Sequence, residues 1–151
     1  MTIDMAAFEM TLDVLSQGRP ASESEEVRDF FAAYQRETDS NLQTMYQYLE
    51  RQEWVALKRM CHTWKGRNAQ IGFRKCSWLA GDLHDFLRDV LEGAGVGGEC
   101  ALEARDCALG DEGAGTGMGM VARQVEAFLE RMNRECQVIR AYLIREGYIA
   151  S

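Results

Sequence analysis

Proline occurs once in this chain of 151 residues, at Pro20. Proline removes a backbone donor and clashes with the preceding helical turn, so a chain almost without it is free to form long uninterrupted helices. The apolar residues recur three and four apart, the period of a helix with one buried face, and nowhere alternate for long as a half-buried strand would. Met5, Phe8, Leu12 and Leu15 mark a short helix over 4–16, ended by Gly18-Arg19-Pro20. Ser22-Glu23-Ser24-Glu25 has the form of a capping box. It opens a stripe of Val27, Phe30/Phe31, Tyr34, Thr38, Leu42, Met45 and Leu49 that runs to about Glu50. After a break at Arg51-Gln52, a second long helix is predicted over 53–71, with Leu57, Cys61, Trp64, Asn68 and Ile71 on its core face. Gly72 supplies a natural stop. A third spans 74–92 (Cys76, Leu79, Leu83, Leu87, Val90), and the last 119–146 (Val121, Val125, Phe128, Met132, Cys136, Ile139, Leu143).

Between the last two helices, Gly93–Gly119 holds nine of the 14 glycines. Each glycine costs a helix about 1 kcal/mol relative to alanine. The stretch 93–118 therefore reads as a flexible insertion, with a short helix possible over Glu99–Leu109. Four long amphipathic helices with mostly short connections predict an all-α fold: an antiparallel four-helix bundle, with the first short helix capping one end. One domain over 1–151 is expected, its core formed by about 24–92 and 119–147.

The formal net charge is −7, which disfavours a nucleic-acid partner, since phosphate backbones are bound by basic patches. No apolar run approaches the roughly 20 residues of a membrane span. The first residues, Met1–Phe8, lack the basic start of a signal peptide, so a cytoplasmic protein is expected. Five cysteines, an odd number without a CxxC pair, do not suggest a disulfide framework; Cys61, Cys76 and Cys136 fall on core stripes as small apolar residues. Neither histidine has glutamate three residues before it (Arg59 and Gly81 stand there), and no Gly-Lys-Ser/Thr occurs in the glycine-rich region. No metal site and no ATP-binding loop are expected.

The informative stretch is Cys61-His62-Thr63-Trp64-Lys65-Gly66-Arg67-Asn68-Ala69-Gln70-Ile71-Gly72. With the core stripe facing inward, His62 points to solvent. Val55, Lys58, Lys65, Gly66 and Ala69 share its face, as Phe73 would if the helix continued. Lys65 lies at i+3 from His62, where neighbouring side chains meet. Gly66, at i+4, sits in mid-helix, where glycine is costly, and leaves room for a partner's close approach. An imidazole nitrogen is a competent nucleophile with a near-neutral pKa. A neighbouring ammonium can balance the oxygens of a transferring phosphoryl group.

His62-x-x-Lys65-Gly66 followed by Gly72 resembles the H-x-x-K-G-x-x-x-x-x-G signature of histidine-containing phosphotransfer (HPt) domains. The spacing from Phe30/Phe31 to Glu53-Trp54-x-x-Leu57 also fits, and the resemblance covers roughly 24–92 and, more weakly, the last helix. It implies a four-helix bundle whose phosphoacceptor is His62, supported by Lys65, with Gly66 for close approach and Gly72 ending the helix. Where the family places a polar residue that hydrogen-bonds the acceptor ring, this chain has His84. Docking would involve Val55, Lys58, Arg67, Ala69 and Phe73. Implied partners are receiver domains of response regulators and a hybrid sensor histidine kinase in a two-component phosphorelay. The chain would be a phosphocarrier without kinase activity or cofactor of its own, with Mg²⁺ supplied by the receiver. Trp64, Arg67 and the long insertion depart from the family pattern, which usually has leucine and a small residue at the first two positions. A helical module that inhibits or sequesters a receiver or kinase without phosphotransfer, and a plain structural adaptor, are the alternatives.

Overall fold

A computed structural model describes residues 3–95 and 111–150. Among these residues five α-helices follow one another: α1 Met5–Ser16, α2 Glu25–Arg51, α3 Trp54–Ile71, α4 Arg74–Gly95 and α5 Asp111–Arg145, with a 3₁₀ turn at Ala21–Glu23. Among the described residues there is no strand, as the 3.6-residue periodicity predicts. No helix among the described residues is long and apolar enough to cross a membrane.

The helix starts are set by local chemistry. The Asp4 carboxylate accepts from the Ala7 amide at 3.2 Å and caps α1. Ser24, rather than Ser22, caps α2: its hydroxyl accepts from the Val27 amide at 3.3 Å and donates to Glu26 at 3.0 Å. The residues before it are taken up by the 3₁₀ turn, which moves the helix start two residues beyond the expected box.

The largest difference from the sequence reading is at the glycine-rich stretch. α4 continues to Gly95 and α5 begins at Asp111, so glycines 93, 95, 113, 115, 117 and 119 are helical. Once a helix is nucleated, each added residue brings its own hydrogen bond, and this offsets the glycine penalty at the helix ends. The expected insertion of 93–118 thereby contracts to 96–110. Those residues, including the whole Glu99–Leu109 segment with Cys100 and Cys107, lie outside the described ones.

α2 packs on α3 and α5, and α4 packs on α3 and α5, so the four long helices close a ring. Two-residue connections, Gln52-Glu53 and Gly72-Phe73, reverse the chain between α2, α3 and α4. Inside the ring lie Phe31, Tyr34, Leu42 and Met45 of α2, Leu57, Cys61, Trp64 and Ile71 of α3, Cys76, Leu83 and Leu87 of α4, and Val125, Leu129, Met132, Ile139 and Leu143 of α5. One polar pair interrupts this apolar core. The Tyr34 hydroxyl donates to Asn68 Oδ1 at 2.6 Å, and Asn68 Nδ2 donates to the Trp64 carbonyl at 2.9 Å. Burial raises the Tyr34 pKa well above its ordinary value, so the hydroxyl keeps its proton. α1 closes one end of the ring through Phe8, whose ring lies 5.7 Å from Phe31 and Phe73 and 5.9 Å from Tyr142.

The α3–α4 reversal turns on Gly72, whose φ of 103° favours glycine. The Gly72 and Phe73 amides donate to the last carbonyls of α3, at Asn68 and Ala69. The same residue seats α1: the Asp4 amide donates to the Gly72 carbonyl at 2.7 Å, and a Cβ on Gly72 would stand 2.6 Å from the Asp4 oxygen and 2.9 Å from the Phe8 nitrogen. This turn also overturns the expectation of Phe73 as a docking residue. The helix does not continue past Ile71, and Phe73 swings inward to full burial among Phe8, Phe31 and Tyr34. Gly72→Ala is accordingly expected to lose about 2–4 kcal/mol, the sum of a left-handed alanine and a backbone clash. Urea unfolding measures it, and amide exchange at Phe8 should rise as α1 loosens. An unchanged midpoint would mean that α1 does not depend on this seat.

Candidate functional site

His62 lies midway along α3 and is exposed, because its neighbours Cys61 and Trp64 take the buried positions of that turn. The Cys61 thiol, next in sequence, faces the core, where burial pushes it up to about 12; it is a packing group. Gly66, one turn on, is also exposed, and a Cβ there would meet nothing within 4 Å. Val55 and Ala69 extend the same exposed face, and Lys58 is half-buried along it.

α4 completes the site. The His62 and His84 rings lie 5.6 Å apart, tilted by 44°. His84 is half-buried, and its Nδ1 lies 3.2 Å from Asp85 Oδ1, which also faces Arg88 Nη1 at 3.5 Å. The hydrogen bond from His84 holds the Asp85 carboxyl below its ordinary value against a small desolvation penalty, helped by the charges of Arg88 and Lys65. Lys65 lies across α4 at Gly81: a Cβ there would come within 3.2 Å of Lys65 Cδ and 3.3 Å of Cε. Ser77 Oγ donates to the Lys65 carbonyl at 2.9 Å, tying the two helices at the same level. The site is therefore an exposed face on two helices, with two imidazoles facing each other and the Lys65 side chain lying over Gly81, one turn before His84 on α4. Among the described residues no group of three or more His, Cys, Asp and Glu side chains is arranged to hold a metal ion.

Several expected residues thus meet on one face: His62, Lys65, Gly66, Ala69 and Val55 from α3, with His84 from α4. Arg67 does not join them. It turns toward α2, where it pairs with Glu37 and lies over the Tyr34 ring at 5.9 Å to the centroid, so it belongs to the α2–α3 flank. The sequence reading gave no role to Gly81, Ser77 or Asp85. Gly81 had a signal of its own, a second mid-helix glycine. Its meaning lies in the partner helix, since only the packing shows that Lys65 fills its space. Trp78, exposed beside Ala69, stacks under Arg74 at 5.7 Å. No family model matches the chain, and neither does any curated protein or solved structure.

Gly81→Ala isolates the Lys65 seat. The obstructing atoms belong to a flexible side chain, so the fold should persist. Melting temperature should hold or rise, because alanine is up to about 1 kcal/mol better than glycine within a helix. Lys65 should move off α4, visible as a change in its side-chain NMR resonances. A clear loss of stability would show that Lys65 cannot yield and that this contact is structural.

Proposed function

We propose that this chain is a cytoplasmic histidine phosphotransfer protein: an antiparallel four-helix bundle that accepts a phosphoryl group on His62 from a receiver-domain aspartate and passes it to another receiver. The observation that carries this reading is the exposed His62 on an open helix face, with no side chain at Gly66 to block approach and with Lys65 one turn away. The family resemblance of the His62–Gly72 segment supports it independently of the geometry.

The reaction asks little of the chain. A ring nitrogen of neutral His62 donates its lone pair to phosphorus and forms the N–P bond. The P–O bond to the aspartate breaks, and its electron pair leaves on the carboxylate. The proton on the other ring nitrogen takes no part in the bond change. Lys65 balances charge on the phosphoryl oxygens, the positioning and electrostatic contribution that governs such transfers. The receiver brings its own Mg²⁺. The two-helix platform keeps the nucleophile at a fixed height, so the receiver docks against a rigid surface.

Incubation with a phosphorylated receiver should yield an acid-labile, base-stable phosphoprotein. His62→Gln should fold as the parent does, because exposed substitutions usually stay within about 0.5 kcal/mol, and should take no label. Equal labelling of variant and parent would remove His62 from the acceptor role. Binding of a receiver without any labelling of the parent would move the protein to the class of sequestering modules. Gly66→Leu tests the approach itself: open space lies around this position, so stability should hold while transfer slows about 10- to 100-fold, the scale of a small misplacement of reacting groups. Unchanged transfer would place the receiver's contact elsewhere.

A further inference from the structure

The second histidine is placed to do more than orient the first. His84 stands 5.6 Å from the His62 ring, keeps one nitrogen on Asp85, and is only half-buried, so protons reach it from solvent. Two cations bear on Asp85, Lys65 from α3 and Arg88 from α4; Arg88 is already engaged with Asp85 and Asp89. Lys58 lies one turn before His62 on α3. α5 meets this stretch of α4 through apolar contact, Phe128 against Phe86 at 5.9 Å. His84 therefore faces the Asp85 carboxylate and the ring of His62, and Asp85 in turn feels the two cations.

Resting on the phosphotransfer reading, we infer that His84 is a positioning residue which takes up a proton when His62 is phosphorylated, so that proton and phosphoryl group bind this face cooperatively. A phosphoryl group brings close to two negative charges near pH 7. At about 6 Å and in a largely aqueous setting, those charges raise the proton affinity of a neighbouring imidazole about tenfold. Asp85 accepts from Nδ1 and so leaves the other nitrogen as a donor toward the phosphoryl oxygens. The sign of the linkage follows: the phosphorylated chain holds more protons than the free chain, so falling pH shifts phosphate from the receiver onto His62, by about tenfold in total, the same factor as the change in proton affinity. A glutamine at this position could hydrogen-bond the ring, but could not couple transfer to pH.

The test uses the full chain labelled with phosphoramidate, a small phosphodonor that needs only an exposed histidine and no receiver. The imidazole resonances of His84 are followed by NMR from pH 5.5 to 8.5, with and without phosphate on His62. The expected result is a titration midpoint about one unit higher in the labelled chain, the tenfold change above. An unchanged or lowered midpoint on phosphorylation overturns the inference, as does a phosphoryl group found on His84. Failure of the phosphotransfer reading looks different: receivers would leave His62 unlabelled, while the His84 midpoint in the phosphoramidate-labelled chain would still decide this question.

Discussion

The turn at Gly72-Phe73 is the constraint on which the rest depends. A left-handed glycine ends α3, sends Phe73 into the core and starts α4 back along the helix it has just left. His62 and His84 each lie eleven residues from Phe73, and Lys65 and Gly81 each lie eight. Folding the chain back at this one point brings both pairs level. The same glycine also seats α1, whose Phe8 closes the aromatic cluster around Phe73. A change in the turn would therefore move the site, the end cap and the core together.

The face that results combines rigidity with access. Behind His62, the core positions of α3 are held by Cys61, Trp64 and Asn68, and the Tyr34–Asn68 hydrogen bond joins α2 to α3 inside the core. Breaking one partner of such a buried pair costs about 1–3 kcal/mol, so the bond helps fix how the helices sit relative to each other. In front, Gly66 leaves the surface low, and Gly81 lets Lys65 lie against α4. Two mid-helix glycines, each unfavourable alone, keep side chains off this face.

Much of this was legible in the sequence because helical periodicity is a local signal. The core stripes of α2 and α3 match the buried residues nearly position by position, and Gly72 marks the end of α3. The errors share one cause: a local rule extended past the point where tertiary or cooperative effects take over. Phe73 belonged to the exposed face only if α3 continued past Gly72, and the turn there sends it inward instead. Glycine propensity shortened α4 and α5 because it treated each residue as independent of the helix already formed. Arg67 looked like part of the docking face until Glu37 and Tyr34 on α2 claimed it. Asp85 and Gly81 could not be assigned roles from spacing, since their meaning comes from what the facing helix brings to them.

The central claim is that phosphate moves from a receiver to His62. It is tested most directly by two-dimensional ¹H–³¹P NMR of this chain after incubation with a phosphorylated receiver. The account predicts one phosphoramidate phosphorus resonance, coupled to the ring protons of His62. Phosphorus coupled to the His84 ring, carried on a carboxylate, or absent from a chain that binds the receiver would contradict it.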